Sequence, residues 1–370
     1  MKIGVIGAGR LGICFALLLE KAGYEVVASD VREDYVKDLQ DKRIITNEPH
    51  VQELLSESKN ITFKTGNLDV IKECDILYTL VATPSLSDGS YDISSIWNVV
   101  NDLQNANFSV KGKSLVIGCT TNPGDCEKFQ EKLQAYGVDV FYNPEFIAQG
   151  SVIKDLQNAD MVLIGGRGNH LYALNDIYLK IQENPPKIYF MSTKAAEITK
   201  IAVNCFLTTK ISYANMVGQV LALSGMEDEI FHVLEAIGSD TRVGGKYINY
   251  GFGFGGPCLP RDNRAFGVYM KKLGLNNNLG STTDDFNNEH AKFLFNYFVN
   301  KNTKNLPFCF HYITYKEQTD ILTESQQYRL CLDLLNAGYK VYVVDELIKD
   351  QCDERIEWGI PCEEVFWIEL

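Results

Sequence analysis

Positive charge is scarce in this sequence. Thirty-five Lys and Arg stand against 48 Asp and Glu in 370 residues, a formal net charge of −13 at pH 7. Such a field disfavours binding to nucleic acid or to an anionic membrane surface. Long apolar runs are also missing. The longest early one, Ile13 to Leu19, falls far short of the ~20 residues that span a bilayer. The stretch before it lacks the cleavage logic of a signal peptide. The ten cysteines form no Cys-x-x-Cys pair and no Cys–His cluster at metal-ligand spacing. Zinc and iron–sulfur sites are therefore unsupported, and no metal is expected. A disulfide framework is unusual in a chain of this size, so a reducing, cytoplasmic compartment is the expectation.

What is present is a chain of 45% apolar and 22% charged residues, ordinary for a globular protein of two or three domains. It opens as strand, glycine turn, helix, strand. Lys2 to Ile6 reads as a buried strand, Leu11 to Ala22 as a helix with Gly23 as its cap, and Glu25 to Ser29 as the next strand. Strand-like segments recur at 76–81, 114–119, 138–142 and 161–164 between amphipathic stretches, which predicts a parallel sheet covered by helices on both faces. From Lys194 to about Ser224 runs one long helical pattern. Ile198, Ile201, Ala202, Cys205, Thr209, Ser212, Met216 and Val220 form its apolar stripe. A Gly-rich loop spans 244–256, another helix spans 262–273, and the polar segment 276–285 reads as a junction. From about Asn305 the pattern returns to strand, helix, strand, with about three strands expected. The fold class is α/β, with domains at 1–192, 193–290 and 300–370.

Three motifs carry chemistry. Gly7-x-Gly9-x-x-Gly12 follows a strand and opens a helix, and Asp30 ends the next strand. The first glycine makes the turn, the second lets a pyrophosphate approach, the third lets helix and strand pack, and the carboxylate accepts from ribose hydroxyls. A 2′-phosphate would be repelled by Asp30, so NAD is expected over NADP, with Arg32 as the opposing feature. In the second motif, glycines and prolines surround Cys258 just before Asp262 and a helix start. That setting favours a thiolate nucleophile, although for a lone cysteine taken alone a small buried hydrophobe is the plainer reading. Third, Lys200 and Asn204 lie one turn apart on the long helix, where a cation and an amide can stabilise an oxyanion; a solvated polar face is the plainer reading of the same spacing.

Taken in order, these segments resemble the UDP-glucose/GDP-mannose dehydrogenase family over roughly residues 1–290. The resemblance rests on the glycine fingerprint, Val81-Ala82-Thr83-Pro84 with Asp88-Gly89, Asn143-Pro144-Glu145-Phe146 with Gly150 and Asp155, Ala196-Glu197-x-x-Lys200-x-x-x-Asn204-x-Phe206-Leu207, Asp240-x-Arg242-x-Gly244, and the cysteine loop from Gly251 to Asp262. It implies an N-terminal Rossmann domain, a central long-helix dimerisation domain carrying the cysteine, and a C-terminal α/β nucleotide-sugar domain. It implies a four-electron oxidation of a nucleotide sugar's C6 alcohol by a homodimer. Cys258 would carry a thiohemiacetal and then a thioester, Lys200 and Asn204 would stabilise oxyanions, Asp262 and Thr120 would hold a water, and Glu145 would act as base. Gly7, Gly9, Arg10, Leu11, Gly12, Asp30, Thr83, Pro84, Thr120, Gln149 and Arg261 would bind NAD. Glu145, Phe146, Ile147, Lys200, Asn204, Tyr247, Phe252, Gly255 and Lys316 would hold the substrate, and Arg242 would reach the substrate of a second subunit.

The chain also departs from the family pattern. Gln149 replaces a usual Glu, the turn at Cys119-Thr120-Thr121-Asn122-Pro123-Gly124 is altered, and Pro257 stands where Ser is common. After Val344-Asp345 only a short stretch remains, so the C-terminal domain reads as abbreviated. UDP-glucose is the first expected substrate. GDP-mannose, a UDP-N-acetylhexosamine, a two-electron β-hydroxyacid-type oxidation and a non-catalytic relative are the alternatives.

Overall fold

The apolar runs that open the chain become the inner strands of an eight-stranded sheet. In the computed structural model, which describes residues 1–148 and 150–370, the strands are β1 (Lys2–Ile6), β2 (Glu25–Asp30), β3 (Ile61–Thr65), β4 (Ile76–Thr79), β5 (Ser114–Ile117), β6 (Asp139–Tyr142), β7 (Met161–Gly165) and β8 (Lys187–Met191). Their order is β3-β2-β1-β4-β5-β6-β7-β8. All neighbours pair parallel except β6 and β7, which meet antiparallel at Tyr142 and Gly165. The expected all-parallel sheet is thus corrected at one join.

The sequence reading missed β3 and β8, the two edges. Every residue of β4 and β5 is buried, so these read as continuous apolar runs. An edge strand covers only part of its surface, and β8 mixes exposed Lys187, Tyr189 and Phe190 with half-buried Ile188 and Met191. Two buried clusters fill the faces of the sheet. On one side Phe15 packs edge-on to Tyr78 with centroids 4.7 Å apart and lies near Tyr178. On the other, Trp97 packs edge-on to Phe129. Burying each large apolar side chain of this kind contributes about 1.5–3 kcal/mol relative to leaving it exposed.

The chain divides into two compact units, Met1–Lys200 and Ile201–Leu370. The helix Thr193–Leu223 forms as the sequence predicts. In the second unit, the segment read as a junction is instead the start of the helix Leu279–Lys301. Asn278 caps it by accepting from the Ser281 N–H at 2.9 Å, as Asn does at helix N-termini. Gly280 lets this helix lie against the backbone of the helix Leu259–Lys272, since a Cβ there would stand 2.8 Å from the Asn263 carbonyl oxygen. Capping and close packing use the same small polar residues as a loop does, and composition alone could not separate them.

The C-terminal sheet has four strands, one more than expected: β9 (Phe308–Phe310), β10 (Val341–Val343), β11 (Glu357–Trp358) and β12 (Phe366–Trp367). They run parallel in the order β11-β10-β9-β12. β11 and β12 carry two residues each, below the length at which periodicity is readable.

Candidate functional site

In the N-terminal unit the strand order reverses between β1 and β4, the place where open α/β sheets bind ligands at their carboxyl ends. Gly7 follows β1 with φ +93°, and a Cβ there would meet the Leu80 carbonyl oxygen at 2.6 Å. A Cβ at Gly12 would meet the Gly7 carbonyl oxygen at 1.9 Å, whereas one at Gly9 would meet nothing within 4 Å. The turn is therefore closed against the protein at Gly7 and Gly12 and open at Gly9, the shape a dinucleotide pyrophosphate requires. Behind it the helix Arg10–Lys21 begins, and its first turn leaves backbone N–H groups aimed at an anion. Arg10 is exposed and Leu11 half-buried. Beyond β4, Thr83 is buried and Pro84 exposed.

Asp30 is 8% exposed, and Arg32 forks onto it. Arg32 Nε donates to Oδ1 at 2.8 Å and Nη2 to Oδ2 at 3.0 Å. The guanidinium also lies 4.1 Å from the centre of the Tyr35 ring, whose hydroxyl donates to the Ala8 carbonyl at 3.0 Å. Burial pushes the Asp30 carboxyl up, but the Arg32 contacts outweigh it and hold the group below its ordinary range. The cation that argued for a 2′-phosphate is thus committed to Asp30; Oδ1 also accepts from the Arg32 N–H at 3.1 Å, while Oδ2 keeps a second lone pair for a ribose hydroxyl. The residues fit NAD. We expect kcat/KM for NAD+ to exceed that for NADP+ by roughly tenfold or more, about 1.4 kcal/mol; equal values measured side by side would show that Arg32 leaves Asp30 to receive the phosphate.

Past β5 and β6 lie the other polar groups of this unit. Thr120 is buried at the start of the Cys119–Gly124 turn. That turn is held by Glu197, which accepts from Thr121 Oγ1 at 2.9 Å, from the Gly124 N–H at 2.6 Å and from the Cys126 N–H at 2.9 Å. Burial pushes the Glu197 carboxyl up and these donors pull it back, leaving it raised. One turn further along the same helix, Lys200 donates to the Glu145 carbonyl oxygen at 2.7 Å and lies 4.5 Å from the centre of the Phe146 ring. Glu145 itself takes a 2.5 Å hydrogen bond with the Tyr178 hydroxyl. Loss of solvent around its carboxyl raises the pKa to about 7, against the pull of Tyr178 and Lys200. Phe146 and Ile147 are half-buried. Gln149 lies outside the described residues. The structure thus brings Glu145, Phe146 and Lys200 together.

In the second unit, Cys258 is half-buried at the N-terminus of the helix Leu259–Lys272, with Pro260 in the first turn. The Asp262 N–H donates to the Cys258 carbonyl at 2.9 Å, and the buried Asp262 carboxylate accepts from Asn204 Nδ2 at 2.7 Å. Arg261 Nε stands 3.8 Å from Asp262 Oδ1. Five hydrogen bonds set the loop before Cys258. Asn215 Oδ1 accepts from the Gly251 N–H, Asn287 brackets Phe254 through both its amide atoms, the Gly251 carbonyl accepts from His290 Nε2, and the Gly256 N–H donates to the Thr323 carbonyl. Burial lowers the His290 pKa, which keeps the ring neutral. Phe252 and Gly255 are half-buried in this loop, and Tyr247 is exposed at φ +66°. Arg242 is exposed and paired with Asp240, and Lys316 is exposed with its carbonyl bonded by Thr314 and Thr319.

Sequence reasoning missed Tyr178, Asn215, Asn287 and His290. Each stands in a helical pattern where a polar or aromatic residue carries no local signal. Glu197 stood inside a recognised motif, but without a role. Among the described residues, no group of three or more His, Cys, Asp or Glu is placed to hold a metal ion, and no helix is long and apolar enough to cross a membrane.

Comparison with known proteins agrees with this geometry. UDP-glucose 6-dehydrogenase of Haloferax volcanii is 28% identical over 96% of this chain and 85% of its own length. The structure of a UDP-glucose dehydrogenase from the archaeon Pyrobaculum islandicum superposes with a TM-score of 0.86 at 26% identity, covering 97% of this chain and 86% of that one. UDP-D-ManNAc dehydrogenase from Pyrococcus horikoshii shares the fold, with a TM-score of 0.79 at 22% identity over 93% of this chain and 83% of that one. Residues 1–182 match the NAD binding domain of the UDP-glucose/GDP-mannose dehydrogenase family, and residues 194–289 match its central domain. A turn open only at Gly9, a committed Asp30 and two consecutive domain matches converge on one conclusion: NAD is the cofactor, and the chain belongs to the UDP-glucose/GDP-mannose dehydrogenase family.

Proposed function

We propose that this protein oxidises the C6 alcohol of a nucleotide sugar, UDP-glucose first among candidates, to a carboxylate in two NAD-dependent steps joined by a covalent bond to Cys258. The observation that carries the reading is the contrast among the cysteines. Cys14, Cys74 and Cys331 are buried, with thiols pushed up to about 12, whereas Cys258 is half-exposed at the head of a 14-residue helix. A two-electron β-hydroxyacid-type oxidation has no use for such a thiol.

NAD+, when bound, would accept one hydride in each step, two molecules in succession serving the two oxidations. The chain's own groups do the rest. As the alcohol becomes an aldehyde its hydroxyl proton passes to a water held by Thr120 and Asp262. The Cys258 sulfur then adds to the aldehyde carbon, and Lys200 and Asn204 stabilise the oxygen that gains charge. Loss of the second hydride leaves a thioester. Glu145 takes a proton from water, the hydroxide adds to the acyl carbon, and the C–S bond breaks to give the carboxylate and the free thiol. Phe146, Ile147, Tyr247, Phe252 and Gly255 hold the sugar nucleotide, and Lys316 takes a phosphate or base. Gln149 and Arg261 complete the NAD contacts.

Stoichiometry tests the proposal. Two NADH per UDP-glucose, with little turnover of GDP-mannose or UDP-N-acetylmannosamine, supports it. One NADH per sugar would mean a two-electron enzyme, and none with any sugar a non-catalytic relative.

We also infer a homodimer through the helix Thr193–Leu223, with Arg242 reaching the substrate of the second subunit. The structure divides the expected stripe: Ile201, Cys205 and Ser212 are buried and Met216 and Val220 exposed, and Phe206, Tyr213 and Leu223, outside that stripe, are exposed as well. Those five exposed residues recur at three, four and seven residues, the seam of a paired helix. Light scattering at micromolar concentration should give twice the 41.6 kDa chain mass, and Val220→Asp should return it to the monomer value; a wild-type monomer would end this inference. The domains proposed at 1–192, 193–290 and 300–370 and a cytoplasmic site of action go with this reading.

A further inference from the structure

The Tyr178 hydroxyl has two neighbours that both want its single hydrogen. Glu145 Oε1 lies 2.5 Å away and Asn143 Oδ1 2.7 Å away. The orientation of the Asn143 amide is settled by its other end, because Nδ2 donates to the Leu163 carbonyl at 2.9 Å and a carbonyl can only accept. Asn143 and Tyr178 are each 1% exposed, and the Tyr178 ring is packed near Phe15, so neither group has solvent as a substitute partner.

Counting hydrogens gives two states. With Glu145 protonated, its O–H donates to the Tyr178 oxygen and the Tyr178 O–H donates to Asn143, so these three side chains satisfy one another; the nearby Tyr78 hydroxyl is buried without a hydrogen-bond partner among the described residues. With Glu145 ionised, the Tyr178 hydrogen must turn to the carboxylate, and Asn143 Oδ1 then faces an oxygen lone pair at 2.7 Å. A buried acceptor left in that position is destabilising.

We propose that Tyr178 is a positioning residue whose single hydroxyl hydrogen is contested by Asn143 and Glu145: it points to Asn143 while the resting Glu145 carboxyl is protonated and turns to support the carboxylate when it ionises. This rests on the reading of Glu145 as the base of thioester hydrolysis. In that step Glu145 first loses its proton to solvent and the Tyr178 hydrogen turns from Asn143 to Oε1. The carboxylate then takes a proton from the attacking water, and the hydrogen returns to Asn143. Burial raises the Glu145 pKa to about 7 against the pull of the Tyr178 hydroxyl, and the competing claim of Asn143 on that hydrogen limits the pull.

The other groups facing Glu145 are Lys200, whose cation favours ionisation, and Tyr78 of β4, whose burial keeps it neutral. Neither is altered in the test. Protein labelled with carboxyl-13C glutamate is titrated by NMR, with the Glu145 signal identified by its loss in Glu145→Gln. Tyr178→Phe removes the hydroxyl that donates to the ionised form and should raise the midpoint by about one pH unit, a tenfold change in proton affinity. Asn143→Ala ends the contest for the hydrogen and should lower it. Opposite shifts support the proposal, because general loosening would move both variants the same way. Two shifts of one sign, or an unmoved midpoint in Tyr178→Phe, would overturn it. Should Asn143→Ala fail to fold, the Tyr178→Phe midpoint decides alone.

In single-turnover hydrolysis of the enzyme thioester, the acidic limb should move with the Tyr178→Phe midpoint; a stationary limb would remove Tyr178 from the reaction. The NMR titration needs no substrate. A wild-type protein that forms no NADH therefore counts against the proposed function, and the titration still decides the hydrogen array.

Discussion

Cys258→Ser should abolish formation of the sugar acid, lowering turnover by at least about a thousandfold, while NAD binding and the thermal melt stay at wild-type values. Serine fits the space of cysteine, and its backbone can keep the 2.9 Å bond by which the Asp262 N–H holds the head of the helix. What it lacks is nucleophilicity at neutral pH and a sulfur that can carry a thioester. Fluorimetric NAD titration and steady-state NADH production separate the two effects. If the variant produces two NADH per sugar at the wild-type rate, the covalent route does not operate and the aldehyde must be oxidised as its hydrate.

Glu145→Gln should stall the reaction one step later. The first turnover still yields two NADH, because no hydride step uses the carboxylate. Acyl-enzyme then accumulates, visible as a covalent mass increment on the intact protein. The effect on hydrolysis should fall in the range of about 10²–10⁴ typical of a removed general base. Glutamine retains the size of the side chain, and its amide can donate to the Tyr178 oxygen as the protonated acid does, so the local array survives. The pH dependence carries a definite sign. The Glu145 pKa is raised to about 7 by loss of solvent around its carboxyl. Below that value the group holds its proton and cannot accept one from water, so wild-type hydrolysis should rise with pH and level off above about 7. In Glu145→Gln that limb should vanish. A wild-type rate flat between pH 5 and 9, or a variant that hydrolyses its acyl-enzyme normally, would remove Glu145 from the chemistry.

Taken by itself, the sequence determined the inner strands, the glycine turn, the long helix and the candidate residues Cys258, Lys200, Asn204 and Glu145. These features are local. Buried strands such as β4 and β5 read as unbroken apolar runs, and the turn is written within six residues by Gly7, Gly9 and Gly12. The pairing of Cys258 with a helix start depends only on the prolines and Asp262 beside it. Tertiary structure alone decided the rest. It assigned Arg32 to Asp30 rather than to an incoming phosphate, because the guanidinium is held in place over Tyr35. It turned the segment 276–285 into a capped helix start, because Gly280 had a neighbouring backbone to pack against. It gave Glu197 three donors from the Thr121–Cys126 turn and fixed the cysteine loop through Asn215, Asn287 and His290. It buried the Glu145 carboxyl and gave it a hydrogen bond from a tyrosine 33 residues away. The physical reason is common to all of these. A polar side chain in a helical pattern looks the same in sequence whether it meets water or a buried donor, and only packing decides which partner it meets.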